Sequence, residues 1–371
     1  MFKLLKYSIV VYCLLVYALT YFLPTYHWFA GFLMLSLPVV IVLSLLWFLI
    51  VFVVNRPNSW LWGVVFLCSF PFWKRTLGVH FSDKIISADT FTVMSYNVMS
   101  FDVLNYLDRK NIENAPKLIE YAITADADIK CFQEFYNYNP RPNHPLYNFN
   151  TLNQFKAAGY RYKTVLHPFI AQTEENFFGL AIVSKFPIVS RGEKEFNNQN
   201  GALFADIVIK KDTIRVINLH LRSLIVRFNK LKTAVKNEDL QDGKKESKQV
   251  ISKLKQGFIH HAEEIKFIEQ WVLSSPYPVL VCGDFNETPY SFVYSTISKH
   301  LSNAFEEVGA GFGFSYRNDP RFIRIDNQFF DPKYFQAIDF QTLNKINYSD
   351  HYPIFGVYRL LSQRGGERRE K

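Results

Sequence analysis

Val281-Cys282-Gly283-Asp284-Phe285-Asn286, running on into Glu287-Thr288-Pro289-Tyr290-Ser291, is the stretch on which the reading of this chain turns. Apolar residues from Val279 to Cys282 meet a glycine, then an acid and an amide two residues apart. A buried strand that ends this way presents Asp284 and Asn286 on one face at its tip. Strand tips are rigid and the loops after them are open, so reacting groups collect there. An Asp-x-Asn pair is also an ordinary turn opener, because both side chains bond their own backbone. Alone, the hexapeptide leaves both readings open.

Five more units share its grammar. Thr92 to Asn97 is a strand pattern ending in an amide, Ala127 to Glu134 alternates and ends in a carboxylate, and Thr213 to His220 ends in an imidazole. Arg324-Ile325-Asp326 sits in an apolar run, and Tyr348-Ser349-Asp350-His351 precedes Tyr352 to Phe355. Any one of these is accounted for by a solvated loop residue or a satisfied structural histidine; six along the soluble part are not explained as turns. The residue types also make one chemistry. Hard oxygen donors (Glu134, Asp350, the amide oxygen of Asn97 or Asn286) suit magnesium, calcium or manganese. Two histidines and further acids suit phosphate chemistry, where charge on the non-bridging oxygens must be neutralised. There is no His-Glu-x-x-His, no cysteine pair at zinc spacing and no Gly-rich phosphate loop. Gly309-Ala310-Gly311-Phe312-Gly313 lacks a following Lys-Ser/Thr and reads as a mobile loop.

Taken in order, Ser95-Tyr96-Asn97, Gln133-Glu134, Asn218-Leu219-His220-Leu221, Gly283 to Asn286, Arg324-Ile325-Asp326 and Ser349-Asp350-His351 resemble the endonuclease/exonuclease/phosphatase superfamily, the DNase I-like metal-dependent phosphoesterases. Phe178 to Ile188 looks like a further hallmark, a central strand and turn, and the match runs from about Thr90 to Arg359. The resemblance implies an α/β fold, a four-layered sandwich of two packed sheets flanked by helices, with all the motifs at one edge. It implies Glu134 as principal ligand of Mg2+ (or Mn2+ or Ca2+), helped by Asp350 and Asn97. It implies His351 acting on the phosphoryl group, oriented by Asp326, with His220 donating to a phosphate oxygen. Asp284 would position or deprotonate the attacking water and Asn286 would hold phosphate or water in line; which group is the base stays open. Arg222 departs from the neutral residue that many members carry there. It reads equally as a phosphate clamp or a surface arginine.

The first eighty residues are of another kind, with five basic residues (Lys3, Lys6, Arg56, Lys74, Arg75) and no acid. Two nearly uncharged apolar runs, residues 7–23 and 28–54, and a shorter one, 60–73, predict two to three transmembrane helices; the second exceeds what a ~30 Å hydrocarbon core requires at ~1.5 Å per residue. Trp28, Trp47, Trp60, Trp62 and Trp73 lie at or near their ends, as interfacial anchors do. No small-residue cleavage site follows the first run, which argues against a signal peptide. Lys3, Lys6 and Arg56 favour three spans with the catalytic domain outside the cytoplasm, in a bacterial inner membrane; Lys74 and Arg75 argue mildly the other way. The expected layout is a membrane anchor over 1–80, a catalytic domain over 81–360 with a basic insertion at 227–255, and a basic tail over 361–371.

The formal net charge of +9 is concentrated outside the catalytic region. Residues 227–255 carry nine Lys/Arg against four Asp/Glu, and 364–371 carry four against two. A groove-wide basic surface for duplex DNA is therefore not indicated. The insertion reads as a solvated helix or as a basic arm on anionic headgroups. Helical spacing marks Asn114 to Ala125 and His260 to Leu273. Of the four cysteines, Cys13 and Cys68 fall in the apolar runs, while Cys131 and Cys282 read as small apolar fillers of core strands. The lead expectation is a membrane-tethered phosphoesterase acting on a phosphate ester, lipid headgroup or nucleic acid. The rivals are an extracytoplasmic DNA/RNA nuclease and an inactive scaffold of the same fold; the intact residue set argues against the scaffold.

Overall fold

The computed structural model describes residues 2–21, 27–54, 59–80, 89–141, 144–166, 173, 175–197, 200–224, 240–319 and 321–361. In chain order the helices are α1 (Phe2–Tyr21), α2 (Trp28–Leu35), α3 (Leu37–Val53), α4 (Ser59–Leu67), α5 (Trp73–Thr76), α6 (Val103–Leu107), α7 (Asn114–Thr124), α8 (Thr151–Ala157), α9 (Leu240–Leu273), α10 (Phe292–Ser298) and α11 (Ala304–Val308). The chain divides into two units. One comprises Met1–Leu77, Ser223–Phe267 and Glu287–Lys299, the other Gly78–Arg222, Ile268–Asn286 and His300–Lys371.

In the first unit, Val16, Leu37, Val65, Trp62 and Phe72 are buried together. The second apolar run is one helix in sequence but two in structure, because α2 and α3 meet at Ser36 with a 41° bend. Pro38 stands in the first turn of α3. It has no N–H to continue the α2 ladder, so the helix breaks before it, and Ser36 Oγ closes the break by donating to Leu33 O at 2.6 Å. Among the described residues no single helix is long and apolar enough to cross a membrane, but the bent pair α2–α3 meets that criterion by length and composition together. The first run is helical to Tyr21, and the third yields α4, nine residues long, then a 3-10 turn (Phe70–Phe72) and α5. The tail from 362 and residues 225–239 of the insertion lie outside the described residues.

The second unit holds the strands β1 (Gly78–Val79), β2 (Thr90–Asn97), β3 (Ile129–Asn137), β4 (Tyr162–Leu166), β5 (Phe177–Ser184), β6 (Ile188–Asn197), β7 (Asn200–Ile209), β8 (Asp212–His220), β9 (Val279–Asp284), β10 (Ser302–Asn303), β11 (Ala310–Gly311), β12 (Asp326–Phe330), β13 (Phe335–Thr342) and β14 (Ile354–Leu360). They form two six-stranded sheets, ordered β10-β12-β9-β8-β7-β6 and β13-β14-β2-β3-β5-β4, and a ribbon β1-β11. Each large sheet has one parallel pair at its centre, β8 with β9 and β2 with β3. These central strands are buried on both faces and so read as near-continuous apolar runs; every residue of β9 is buried.

Val93, Ile129, Ile182, Val216, Leu280 and Phe305 fill the space between the sheets. A second cluster, with Tyr96, Phe101, Leu118, Phe132 and Phe155, seats α7 and α8 on the outer face of the β2 sheet. Against the other sheet, Trp271 near the end of α9 meets Phe204 edge-on at 5.0 Å. Two packed sheets flanked by helices is the layering the resemblance implied. Cys131 and Cys282 are buried fillers as expected. The Gly309–Gly313 segment, expected as a mobile loop, instead pairs Ala310 with Val79 and Gly311 with Gly78.

Candidate active site

Strand register brings the motifs together. On the first sheet His220 lies opposite Asp284, and Asp284 opposite Asp326, so three of the quoted residues form one row across β8, β9 and β12. Because β12 runs antiparallel to β9, Asp326 begins its strand where Asp284 ends one. Gly283 is needed for this close row: its φ is +140°, and a Cβ would collide with the backbone of Leu219. On the second sheet Asn97 ends β2 opposite Gln133.

Glu134 reaches the site through a bulge. The β3–β5 register slips between Phe132 and Phe135, and Glu134 takes φ +52°. A bulge re-aims side chains at a strand's working end. It turns Gln133 inward, where Nε2 donates to Asn218 Oδ1 at 2.6 Å and Ser95 Oγ at 3.1 Å. Asn218 Nδ2 returns bonds to Phe132 O and Ala181 O. A buried amide network thus ties the two sheets together beneath the site.

Asp284 is the hub. Its Oδ2 lies 3.6 Å from Nε2 of His220 and 3.6 Å from Nε2 of His351, and it accepts from Asn97 Nδ2 at 3.1 Å. Its Oδ1 accepts the backbone N–H of Asn286 at 2.9 Å, and Asn286 Nδ2 donates to Leu221 O at 2.9 Å. His351 Nδ1 faces Asp326 Oδ2 at 2.8 Å. Ser315 Oγ accepts the backbone N–H groups of both Ile325 and Asp326, fixing the segment that carries the acid. Ser349 Oγ donates to Asn97 O at 2.7 Å, which joins the Asp350-His351 turn to the end of β2.

Electrostatics separate the roles. Burial lifts the Asp284 carboxyl to about 6, opposed by the two imidazoles and reinforced by Asp326. Burial pulls His351 down, but Asp326, Asp284 and Asp350 together outweigh it and hold the imidazole well above its ordinary value. Glu134 is raised by burial and then by the like charge of Asp350. Its Oε1 stands 3.4 Å from Asn97 Nδ2 and 3.9 Å from His220 Nε2.

All nine residues singled out in the sequence fall at or beside this edge of the strands. Asn97, Glu134, His220, Asp284, Asn286, Asp326 and His351 are linked by the contacts above, and Asp350 by its repulsion of Glu134. Arg222 is half-buried two residues beyond His220. Three groups with no assigned role in the sequence also matter: Ser315, Ser349 and Tyr316. The Tyr316 ring stands edge-on to the His351 imidazole at 5.1 Å. Burial, then Asp350, pushes its phenol to about 12. No strand pattern marks residues 312–317, and of the three only Ser349 stands within a sequence motif.

Among the described residues, the ligand atoms of Asp284, Asp326 and His351 lie within 4.8 Å of one another. A protonated His351 already paired with Asp326 has no lone pair for a cation, so this trio is better suited to holding protons. Glu134 and Asp350 fit a hard divalent cation, since the Asp350 charge that raises the Glu134 carboxyl is countered by a cation beside them. Asn97 turns its amide nitrogen to the acids while Oδ1 accepts the Met99 N–H at 3.1 Å; to serve as a ligand, its amide must turn over.

No curated protein matches the chain. A domain of unknown function matches residues 1–76. Among solved structures, the endonuclease/exonuclease/phosphatase from Beutenbergia cavernae DSM 12333 aligns at 16% identity and TM-score 0.51, over 73% of this chain and 72% of that chain. An endonuclease/exonuclease/phosphatase family protein from Bacteroides thetaiotaomicron aligns at 16% identity and TM-score 0.51, over 72% of this chain and 97% of that chain. Both show the shared fold. The Endonuclease/Exonuclease/phosphatase family model matches residues 94–351, from β2 through the Asp350-His351 turn, and the chain therefore belongs to that family of phosphoric-ester hydrolases.

Proposed function

We propose that this protein is a membrane-tethered phosphoesterase, dependent on Mg2+ with Mn2+ or Ca2+ as substitutes, that cleaves a phosphate ester outside the cytoplasm. The observation that carries the reading is the hub at Asp284, where two imidazoles and an amide converge on one buried carboxylate beside the Glu134–Asp350 pair. A divalent cation held by Glu134 and Asp350, with Asn97, would neutralise charge developing on the phosphate oxygens.

The protein's own groups account for the remaining steps. His351, kept cationic by Asp326, presents Nε2–H to a phosphoryl oxygen or the leaving group. His220 supplies a second donor from β8. Asp284, whose carboxyl is raised to about 6, is ionised at neutral pH and accepts a proton from water. The Asn286 backbone N–H holds that carboxylate in place. Arg222 supplies a guanidinium that suits a phosphate oxygen.

Apolar side chains facing outward on α3, among them Val42, Leu43 and Leu46, support the tether. The lack of a basic surplus in the catalytic region outside residues 227–255 favours a lipid headgroup or small phosphate ester over nucleic acid. The test is a panel assay of the full-length protein in detergent, with Mg2+, Mn2+ or Ca2+, on plasmid DNA, RNA, phospholipids, sphingomyelin and inositol phosphates. Hydrolysis that needs the cation and favours the lipid or small ester is expected. Activity undiminished by chelator, or cleavage of nucleic acid alone, contradicts the reading.

A further inference from the structure

Helix α9 is divided by charge. Over residues 244–255 it carries five lysines and one glutamate, while residues 256–273 carry three glutamates and one lysine. Lys244, Lys245 and Lys248 lie in the N-terminal half of the described span, Leu240–Leu273. Such a one-sided run of cations suits an anionic partner.

The side chains show where that partner lies. Lys244, Lys248, Ile251, Lys255 and Phe258 recur at steps of three and four and so form one row along α9. The C-terminal end of the row is docked on α2. Phe258 meets Phe32 edge-on at 5.4 Å. It lies so close to the α2 backbone that a Cβ on Gly31 would stand 2.8 Å from its ring. Lys255 Nζ sits 4.7 Å over the Trp28 ring. Stepping back along α9 from Phe258 to Lys255 therefore follows α2 back from Phe32 to Trp28, its first residue. The row continues past that point, where Ile251 is 51% exposed. Lys244, Lys245 and Lys248 are exposed there too. Lys253, also exposed, lies about 140° around the helix from Lys248.

We infer that the N-terminal half of α9 is a docking surface for anionic lipid headgroups, formed by Lys244 and Lys248 around Ile251. It is held at headgroup level by the Lys255–Trp28 and Phe258–Phe32 contacts. This rests on the proposed tethering, since only an embedded α2–α3 pair makes the start of α2 an interfacial level. A tryptophan at the end of an apolar helix with lysines beyond it suits that boundary. The one exposed apolar side chain among the lysines suits the shallow insertion of an amphipathic helix. Each cation near an anionic leaflet adds attraction that salt screens.

The test is lysine-acylation footprinting of the full-length protein in nanodiscs of phosphatidylcholine, alone or with phosphatidylglycerol, read by mass spectrometry. Anionic lipid should slow acylation of Lys244 and Lys248 several-fold, and high salt should restore it. Lys253 on the opposite side and Lys110 in the catalytic unit should react alike in both discs. Equal reactivity of Lys244 and Lys248 in both lipids would overturn the docking surface while leaving the tether standing. Protection by a single-stranded oligonucleotide but not by phosphatidylglycerol would overturn it in favour of nucleic acid. Failure to co-elute with phosphatidylcholine discs would remove the tether, and this inference with it.

Discussion

Asp326 is tied most directly to His351, because its Oδ2 faces Nδ1 at 2.8 Å while its backbone N–H donates to Ser315. The two should therefore fail as a unit: His351→Ala and Asp326→Asn together should lower kcat/KM little more than His351→Ala alone. Additive losses would leave Asp326 a purely structural acid. The pair also sets a pH sign. The folded pKa of His351 is raised, so the stability it contributes is fully present below its ordinary 6.5 and is lost as pH rises through the higher folded value. In chelator, NMR should find the His351 imidazole still protonated at neutral pH, and Asp326→Asn should move its transition downward. A transition at or below the ordinary value in the unmodified protein would refute the coupling. At this scale the sequence was largely legible, since Asn97, His220, Asp284 and His351 each mark a strand end or the turn before one, whereas Glu134, expected to end its strand, sits at a bulge inside β3. Tyr316 was not, because a loop residue that packs against a histidine leaves no periodic trace.

Elements decide how those residues meet. The β3 bulge at Gln133-Glu134 and the reversed direction of β12 follow from register, which a one-dimensional pattern does not contain. Asn218 shows the consequence: in sequence it is one residue of a strand motif, in structure it is the polar bolt between the sheets, with Gln133, Phe132 and Ala181 as partners. Asn218→Ala strands buried groups on both sheets and should cost roughly 3 kcal/mol. Denaturant titration should show a lower midpoint at unchanged slope; an unaltered midpoint would mean that the network bears no stability. The same limit applies to the second apolar run, whose length was plain but whose division at Ser36 depends on Pro38 falling in a helix's first turn.

At the scale of the whole molecule, two units share one chain, and the order of the motifs was enough to locate the catalytic unit. The side of the membrane depends on how many apolar runs cross it. If the catalytic unit lies outside, a periplasm-dependent reporter fused after Arg359 should be active and a cytoplasm-dependent one silent; the opposite pattern would move the substrates to the cytoplasmic face. The central claim is narrower, that Glu134 holds the cation on which hydrolysis depends. It is tested most directly by titrating Mg2+ into the full-length protein and its Glu134→Gln variant while following hydrolysis and metal binding together. Glutamine keeps the shape and removes the charge, so the variant should stay folded, bind Mg2+ more weakly and turn over roughly a hundred-fold more slowly. Equal Mg2+ affinity and equal turnover in the two proteins would contradict the account.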